Sequence, residues 1–133
     1  MVSISGIRGI VGESLTPEVI VKYAGAFAEH CKRINSKNPL RGHRPTVVIG
    51  RDGRITGKIV ANIASSTLLA AGVDVVAIGV VPTPTVALAV EKLGATGGIS
   101  FTASHNPMQW NGLKFFAASG LFLDAEENYI NKT

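Results

Sequence analysis

Thr102-Ala-Ser-His-Asn-Pro107, followed by Trp110-Asn-Gly-Leu-Lys114, sets a hydroxyl, an imidazole, side-chain amides and an ammonium in one short stretch behind an apolar run. A serine hydroxyl is a weak nucleophile until a base or an electrophilic partner assists it. His105 is the adjacent base, but neighbours in an extended segment point to opposite sides, so it is read as orienting another group or binding substrate. Lys114 is the candidate for a proton relay or for the charge that holds a phosphate. Pro107 restricts Asn106 to extended geometry and removes a backbone donor, which predicts a stiff loop with Ser104 held outward. The same residues also suit an idle turn built from Asx and serine hydrogen bonds, and by themselves they leave both readings open.

Several chemistries are disfavoured. There is no G-x-S-x-G elbow and no aspartate at a recognisable position, against a serine-hydrolase triad. Neither a Walker loop nor a dinucleotide glycine fingerprint is present. The three histidines and nine acids are not spaced like metal ligands. A net charge of +4, partly gathered between Lys32 and Arg54 without a long basic block, argues weakly for nucleic acid and suits a small anionic substrate.

The elements that must position these residues follow from periodicity. With 46% apolar and 17% charged residues, the 133-residue chain reads as one packed domain, residues 1–133. Thr16-Pro17-Glu18 opens a helix whose buried face runs from Val19 through Tyr23, Phe27 and Cys31 to about Asn35. A β-branched strand at 46–50 is followed by a loop, 51–55. Thr56 then caps a second helix, which ends at Gly72. A strand at 73–78, a helix at 85–93, a strand at 98–102, a strand at 112–117 and a last helix from Asp124 complete the order.

Alternation of strand and helix predicts an α/β fold, a three-layer α/β/α sandwich around a mixed four-stranded sheet. The last strand follows too soon for a helical crossover, so it is expected to be antiparallel. The polar loop then lies at the rim where such sheets bind ligands, beyond the carboxyl ends of the parallel strands. The charged loop at Arg51, Asp52 and Arg54 is read as an internal ion pair that holds loop geometry. Trp110 is expected to pack the loop, and Gly112 to serve the turn. The lone Cys31 reads as a buried, reduced thiol. No signal peptide opens the chain and no apolar run is long enough to span a membrane, so a soluble, cytoplasmic protein is expected.

These motifs resemble those of a known family. The Thr102–Pro107 and Trp110–Lys114 segments are similar to the active-site signature of the α-D-phosphohexomutases, which include phosphoglucomutase, phosphomannomutase and phosphoglucosamine mutase. Ser5-Gly-Ile-Arg-Gly-Ile-Val-Gly12 resembles the family's amino-terminal segment, Gly50-Arg-Asp-Gly-Arg54 its second signature, and Pro82-Thr-Pro84 a further recurrent element. The resemblance implies that Ser104 carries a transferable phosphoryl group, with Arg8 beside it and His105 and Lys114 near the reacting hydroxyls. Asn106 would join Arg8, Ser104, His105 and Lys114 in binding phosphate or substrate. It implies interconversion of hexose 1-phosphate and hexose 6-phosphate through a bisphosphorylated sugar, with sugar bisphosphate as activator. One Mg2+ is implied, liganded by the Ser104 phosphate but mainly by a D-G-D-x-D-R loop in a second domain. Sugar selection would lie in third and fourth domains.

On this reading residues 1–133 are the first, phosphoserine-bearing domain of a larger enzyme. It packs against later domains, is inactive alone, and takes a phosphosugar rather than nucleic acid or membrane. The chain stops at Asn131-Lys-Thr133, inside the last expected helix, as a fragment or a truncated gene product would. The alternative is a non-catalytic α/β binding or interaction module that kept the scaffold without the chemistry.

Overall fold

The apolar periods resolve into alternating strands and helices in a computed structural model that describes residues 2–3, 6–37, 44–103 and 106–122. In chain order these are β1 (Val2–Ser3), β2 (Gly6–Ile10), α1 (Pro17–Ser36), β3 (Thr46–Arg51), α2 (Gly57–Ala70), β4 (Asp74–Val80), α3 (Thr83–Leu93), β5 (Gly97–Phe101) and β6 (Trp110–Ala117). The start of α1 is as expected: the Val19 amide donates to Thr16 Oγ1 at 3.3 Å, with Pro17 and Glu18 in the first turn. Thr56 does not act as the expected cap. Its backbone is already helical and its side chain makes no capping bond. The third helix begins at Thr83, two residues early, because proline is tolerated in a first turn where no amide is needed. The helix expected from Asp124 lies outside the described residues.

The strands form one mixed sheet in the order β1-β2-β6-β5-β3-β4. β3 pairs in parallel with β4 and β5, and β6 is antiparallel to β5, as its short connection requires. The sheet has six strands rather than the expected four. The two extra strands come from the amino-terminal segment, where β2 pairs antiparallel with β6 and β1 with β2. Two glycines in Gly-Ile-Arg-Gly-Ile weaken any local strand signal, so tertiary pairing makes this strand. Gly112 permits it. It sits within β6 rather than serving a turn, and a Cβ there would fall on the Ile7 carbonyl oxygen and within 2.8 Å of Arg8 Cβ.

Alternation along the strands divides the core between two faces. Ile7, Val47, Ile49, Ile99, Phe101, Leu113 and Phe115 join Ile20, Phe27, Val60 and Leu68 beneath α1 and α2. Val48 and Phe116 meet Val86 and Val90 of α3 on the other face. Helices thus cover both sides of the sheet. Because Ile7, Leu113 and Phe115 face α1 and α2, the intervening Arg8 and Lys114 belong to the α3 side. No helix among the described residues is long and apolar enough to cross a membrane.

Cys31 is fully buried against this core, and burial pushes its thiol up to about 12. The shift disfavours thiolate, the reactive form. A thiol-labelling reagent at pH 8 is therefore expected to modify Cys31 only as fast as the protein unfolds. The native value lies above the ordinary 9.0, so the thiol's contribution to stability is complete below about pH 9 and lost as pH rises through about 12. Rapid labelling of folded protein at pH 8, checked against urea-unfolded protein, would contradict this burial.

Candidate functional site

Arg8 occupies the middle of β2, opposite Gly112 of β6, and is half-buried. Its guanidinium Nη1 donates to Asn106 Oδ1 at 3.0 Å, linking two residues 98 positions apart. The Asn106 amide in turn donates to the Ala103 carbonyl at 3.1 Å. Ser104 and His105, between these two residues, lie outside the described residues. What the structure defines is the frame on either side of them.

That frame rests on a second arginine. Arg54 is only 7% exposed. Its Nε donates to Asp52 Oδ2 at 3.0 Å, while Nη1 donates to the Pro107 carbonyl at 2.7 Å and to the Trp110 carbonyl at 3.3 Å. The Asp52 carboxylate also accepts from the Arg54 amide at 3.1 Å and from Thr102 Oγ1 at 2.8 Å. One ion pair therefore binds the loop after β3 to residues before and after Ser104-His105. The expected internal ion pair is present, but its reach to Pro107 and Trp110 was not legible. Asp-x-Arg spacing indicates a local bond and says nothing of carbonyls more than 50 residues away.

Further anchors come from the start of β6. Asn111 is fully buried; its Nδ2 donates to Thr56 Oγ1 at 3.1 Å and its Oδ1 accepts from the Gly112 amide at 2.8 Å. That bond takes up the hydroxyl expected to cap α2. The Trp110 amide donates to the Pro107 carbonyl and the Val11 amide to the Gln109 carbonyl, which closes the loop against β2. Trp110 is half-buried at the head of β6, where it belongs to the strand as well as to the loop.

Lys114 pairs with Gly6 on one side and Ser100 on the other. Its ammonium stands 5.9 Å from the centre of the Phe122 ring, itself stacked on Phe116 with centroids 4.8 Å apart. Ser100 Oγ lies 3.0 Å from Thr83 Oγ1 at the start of α3, the element that Pro82-Thr-Pro84 introduces. Of the residues singled out in the sequence, Arg8 and Asn106 are in direct contact. Lys114 lies on the same face of the sheet, one alternate residue beyond Gly112.

The description "Phosphoglucomutase/phosphomannomutase, alpha/beta/alpha domain I" belongs to a family model that matches residues 2–133. The chain belongs to this family. A phosphoglucosamine mutase of Corynebacterium jeikeium is 42% identical over 129 residues, covering 96% of this chain and 28% of the relative. A phosphoglucomutase/phosphomannomutase of Thermococcus kodakarensis is 39% identical over 125 residues, covering 94% and 26%. The crystal structure of a phosphoglucomutase/phosphomannomutase family protein from Burkholderia thailandensis aligns with a TM-score of 0.75 at 29% identity, covering 99% of this chain and 30% of that one. The chain spans about a quarter of the length of the curated relatives it matches.

Within this phosphohexomutase domain, the frame presents Arg8 and buries Arg54 beside a loop that carries a serine. Such an arrangement favours an anion at the loop. Among the described residues no group of three or more His, Cys, Asp or Glu is placed to hold an ion, and both Asp52 oxygens are engaged.

Removing Arg54 would take the guanidinium bonds from the Pro107 and Trp110 carbonyls and leave the partly buried Asp52 carboxylate without its counter-charge. Arg54→Ala is expected to cost about 3 kcal/mol in urea denaturation and to expose the Pro107–Trp110 loop to limited proteolysis. Wild-type stability together with an uncut loop would show that the clamp is dispensable.

Proposed function

We propose that this chain is the amino-terminal, phosphoserine-bearing domain of a larger phosphohexomutase that interconverts hexose 1-phosphate and hexose 6-phosphate. The observation that carries the reading is the Arg8–Asn106 bond, which brings a cation from β2 to the edge of the loop holding Ser104 and His105. The family membership and the names of the relatives support the substrate class, a hexose phosphate.

In this reading the bond between Ser104 Oγ and phosphorus breaks as a new phosphorus–oxygen bond forms to a hydroxyl of the bound sugar monophosphate. The proton released by the sugar hydroxyl balances the proton gained by Ser104 Oγ, and Lys114 is the favoured carrier. The bisphosphorylated sugar then turns over and returns its other phosphoryl group to Ser104 by the reverse transfer. Phosphoryl transfer of this kind needs positioning and positive charge more than covalent chemistry. Arg8 supplies charge and, through Asn106, position. His105 orients the reacting hydroxyl. The Phe122 ring, half-exposed, lies beside the Lys114 ammonium.

The same reading includes one Mg2+, which adds positive charge at the Ser104 phosphate and is held mainly by residues of another domain. Sugar bisphosphate would act as the activator that rephosphorylates Ser104. Later domains would pack against this one and select the sugar, and no nucleic acid or membrane partner is required.

In the intact protein purified from cells, peptide mass spectrometry is expected to find phosphate on Ser104. Ser104→Ala should abolish both phosphate and mutase activity. Arg8→Ala should lower kcat by about 10²–10³, the usual effect of losing one preorganised group at a charged transition state. Full activity in Ser104→Ala would defeat the proposal. A folded protein with neither phosphate nor activity would instead favour the non-catalytic binding module.

A further inference from the structure

A pocket of about 270 Å³ opens on the opposite face of the sheet from Arg8 and Lys114. It lies under α2 at the carboxyl ends of β3 and β4, the position where parallel strands gather ligands. Arg51 and Lys58 stand on its wall, Asn62 and Ser65 continue the wall along α2, and Phe101 and Ile49 line its apolar base. Lys58, Asn62 and Ser65 recur at helical spacing, so one face of α2 presents all three. A bulge makes room at the rim. The register passes from Ile49↔Ala77 to Arg51↔Val80, which leaves one extra residue in β4 there, and Gly79 takes φ +82°.

The charge balance of this pocket is one-sided. None of its lining residues is acidic. Asp52, next to Arg51 in the chain, is bonded to Arg54 and Thr102 rather than to Arg51. The Arg51 side chain instead lies along the start of α2, with Cδ 3.4 Å and Nη1 3.5 Å from the position a Cβ on Gly57 would occupy. A planar guanidinium and an ammonium on one concave wall suit a dianion, the guanidinium by a two-pronged hydrogen bond and the ammonium as a point charge.

We propose that this pocket is a second ligand site, separate from the Ser104 loop, for a small phosphate monoester. Arg51 and Lys58 hold the phosphate, Asn62 and Ser65 bond hydroxyls of the ester group, and Phe101 lies beneath its carbon skeleton. The volume is just below the usual range for drug-sized ligands, about 300–1,000 Å³, which favours a single sugar-sized body over a nucleotide. The proposal does not rest on the reaction assigned to Ser104.

The test is a nitrogen-15 amide NMR titration of the intact protein carrying Ser104→Ala, which prevents turnover, with glucose 6-phosphate and inorganic phosphate as probes. Amide signals of Lys58, Asn62, Ser65 and Gly79 are expected to shift saturably with glucose 6-phosphate, and more weakly with inorganic phosphate. Arg51→Gln combined with Lys58→Gln should weaken that response at least about tenfold, the loss expected when charge-assisted hydrogen bonds are removed, while signals of Arg8 and Gly112 respond as before. Arg51→Lys should retain part of the affinity. Unmoved α2 signals, or equal affinity in the double variant, would overturn the site. Equal affinity for the two probes would overturn its assignment to a monoester. Absence of phosphate on Ser104 in the wild-type protein would leave every one of these outcomes readable.

Discussion

Arg54 reaches Asp52, Pro107 and Trp110 from a position nearly closed to water, and the loop geometry of the domain follows from that reach. A guanidinium can serve several acceptors at once because its donors form a rigid planar fork; an ammonium on the same stem would not match them. Burial makes the arrangement demanding. A charge withdrawn from water must be paired and hydrogen-bonded, or the fold loses more than the bond was worth. Here the carboxylate of Asp52 supplies the counter-charge and two main-chain carbonyls accept further bonds. The polar loop can therefore follow an apolar strand without becoming an unsupported excursion, since its flanks at Thr102 and at Pro107 answer to the same ion pair.

Close backbone approach is the second constraint. β2 lies against β6 at a position where Gly112 has no side chain to hold them apart, and this contact places Arg8 where its guanidinium meets Asn106. Asn111, one residue earlier, spends its amide on Thr56 and on the next peptide, which locks the head of β6 to the start of α2. Small and amide residues thus do structural work that allows the charged ones to be presented. The sheet then separates two positive regions. Arg8 and Lys114 belong to the face covered by α3, and Arg51 and Lys58 to the face covered by α2.

Much of this architecture was legible in the chain. The helix of residues 17–36 announced itself through its threonine cap, its proline and its three- and four-residue apolar spacing, all local features. The strand of residues 46–51 did so through a β-branched run, and the antiparallel sense of β6 through the shortness of the connection before it. The motif residues Arg8, Asn106 and Lys114 were recognisable by type and order. The strand Gly6–Ile10 was not legible, because its glycines carry no strand preference and its pairing partner lies about a hundred residues away. Thr56 misled for a related reason. A hydroxyl before a helix usually bonds its own first turn, whereas here a buried asparagine from another strand claims it.

By itself, the order of residues determined the alternation of elements, the signature segments of the family, and the solitary buried thiol. These depend on periodicity, capping and side-chain chemistry, which act over a few positions. Only the tertiary structure decided that Arg8 meets Asn106, that Arg54 joins the local turns in securing the loop, and that two pairs of cations fall on opposite faces of one sheet. The first two outcomes require residues 50 to 100 positions apart to be brought within hydrogen-bonding distance, and sheet pairing and core packing impose such proximity where no nearby spacing encodes it.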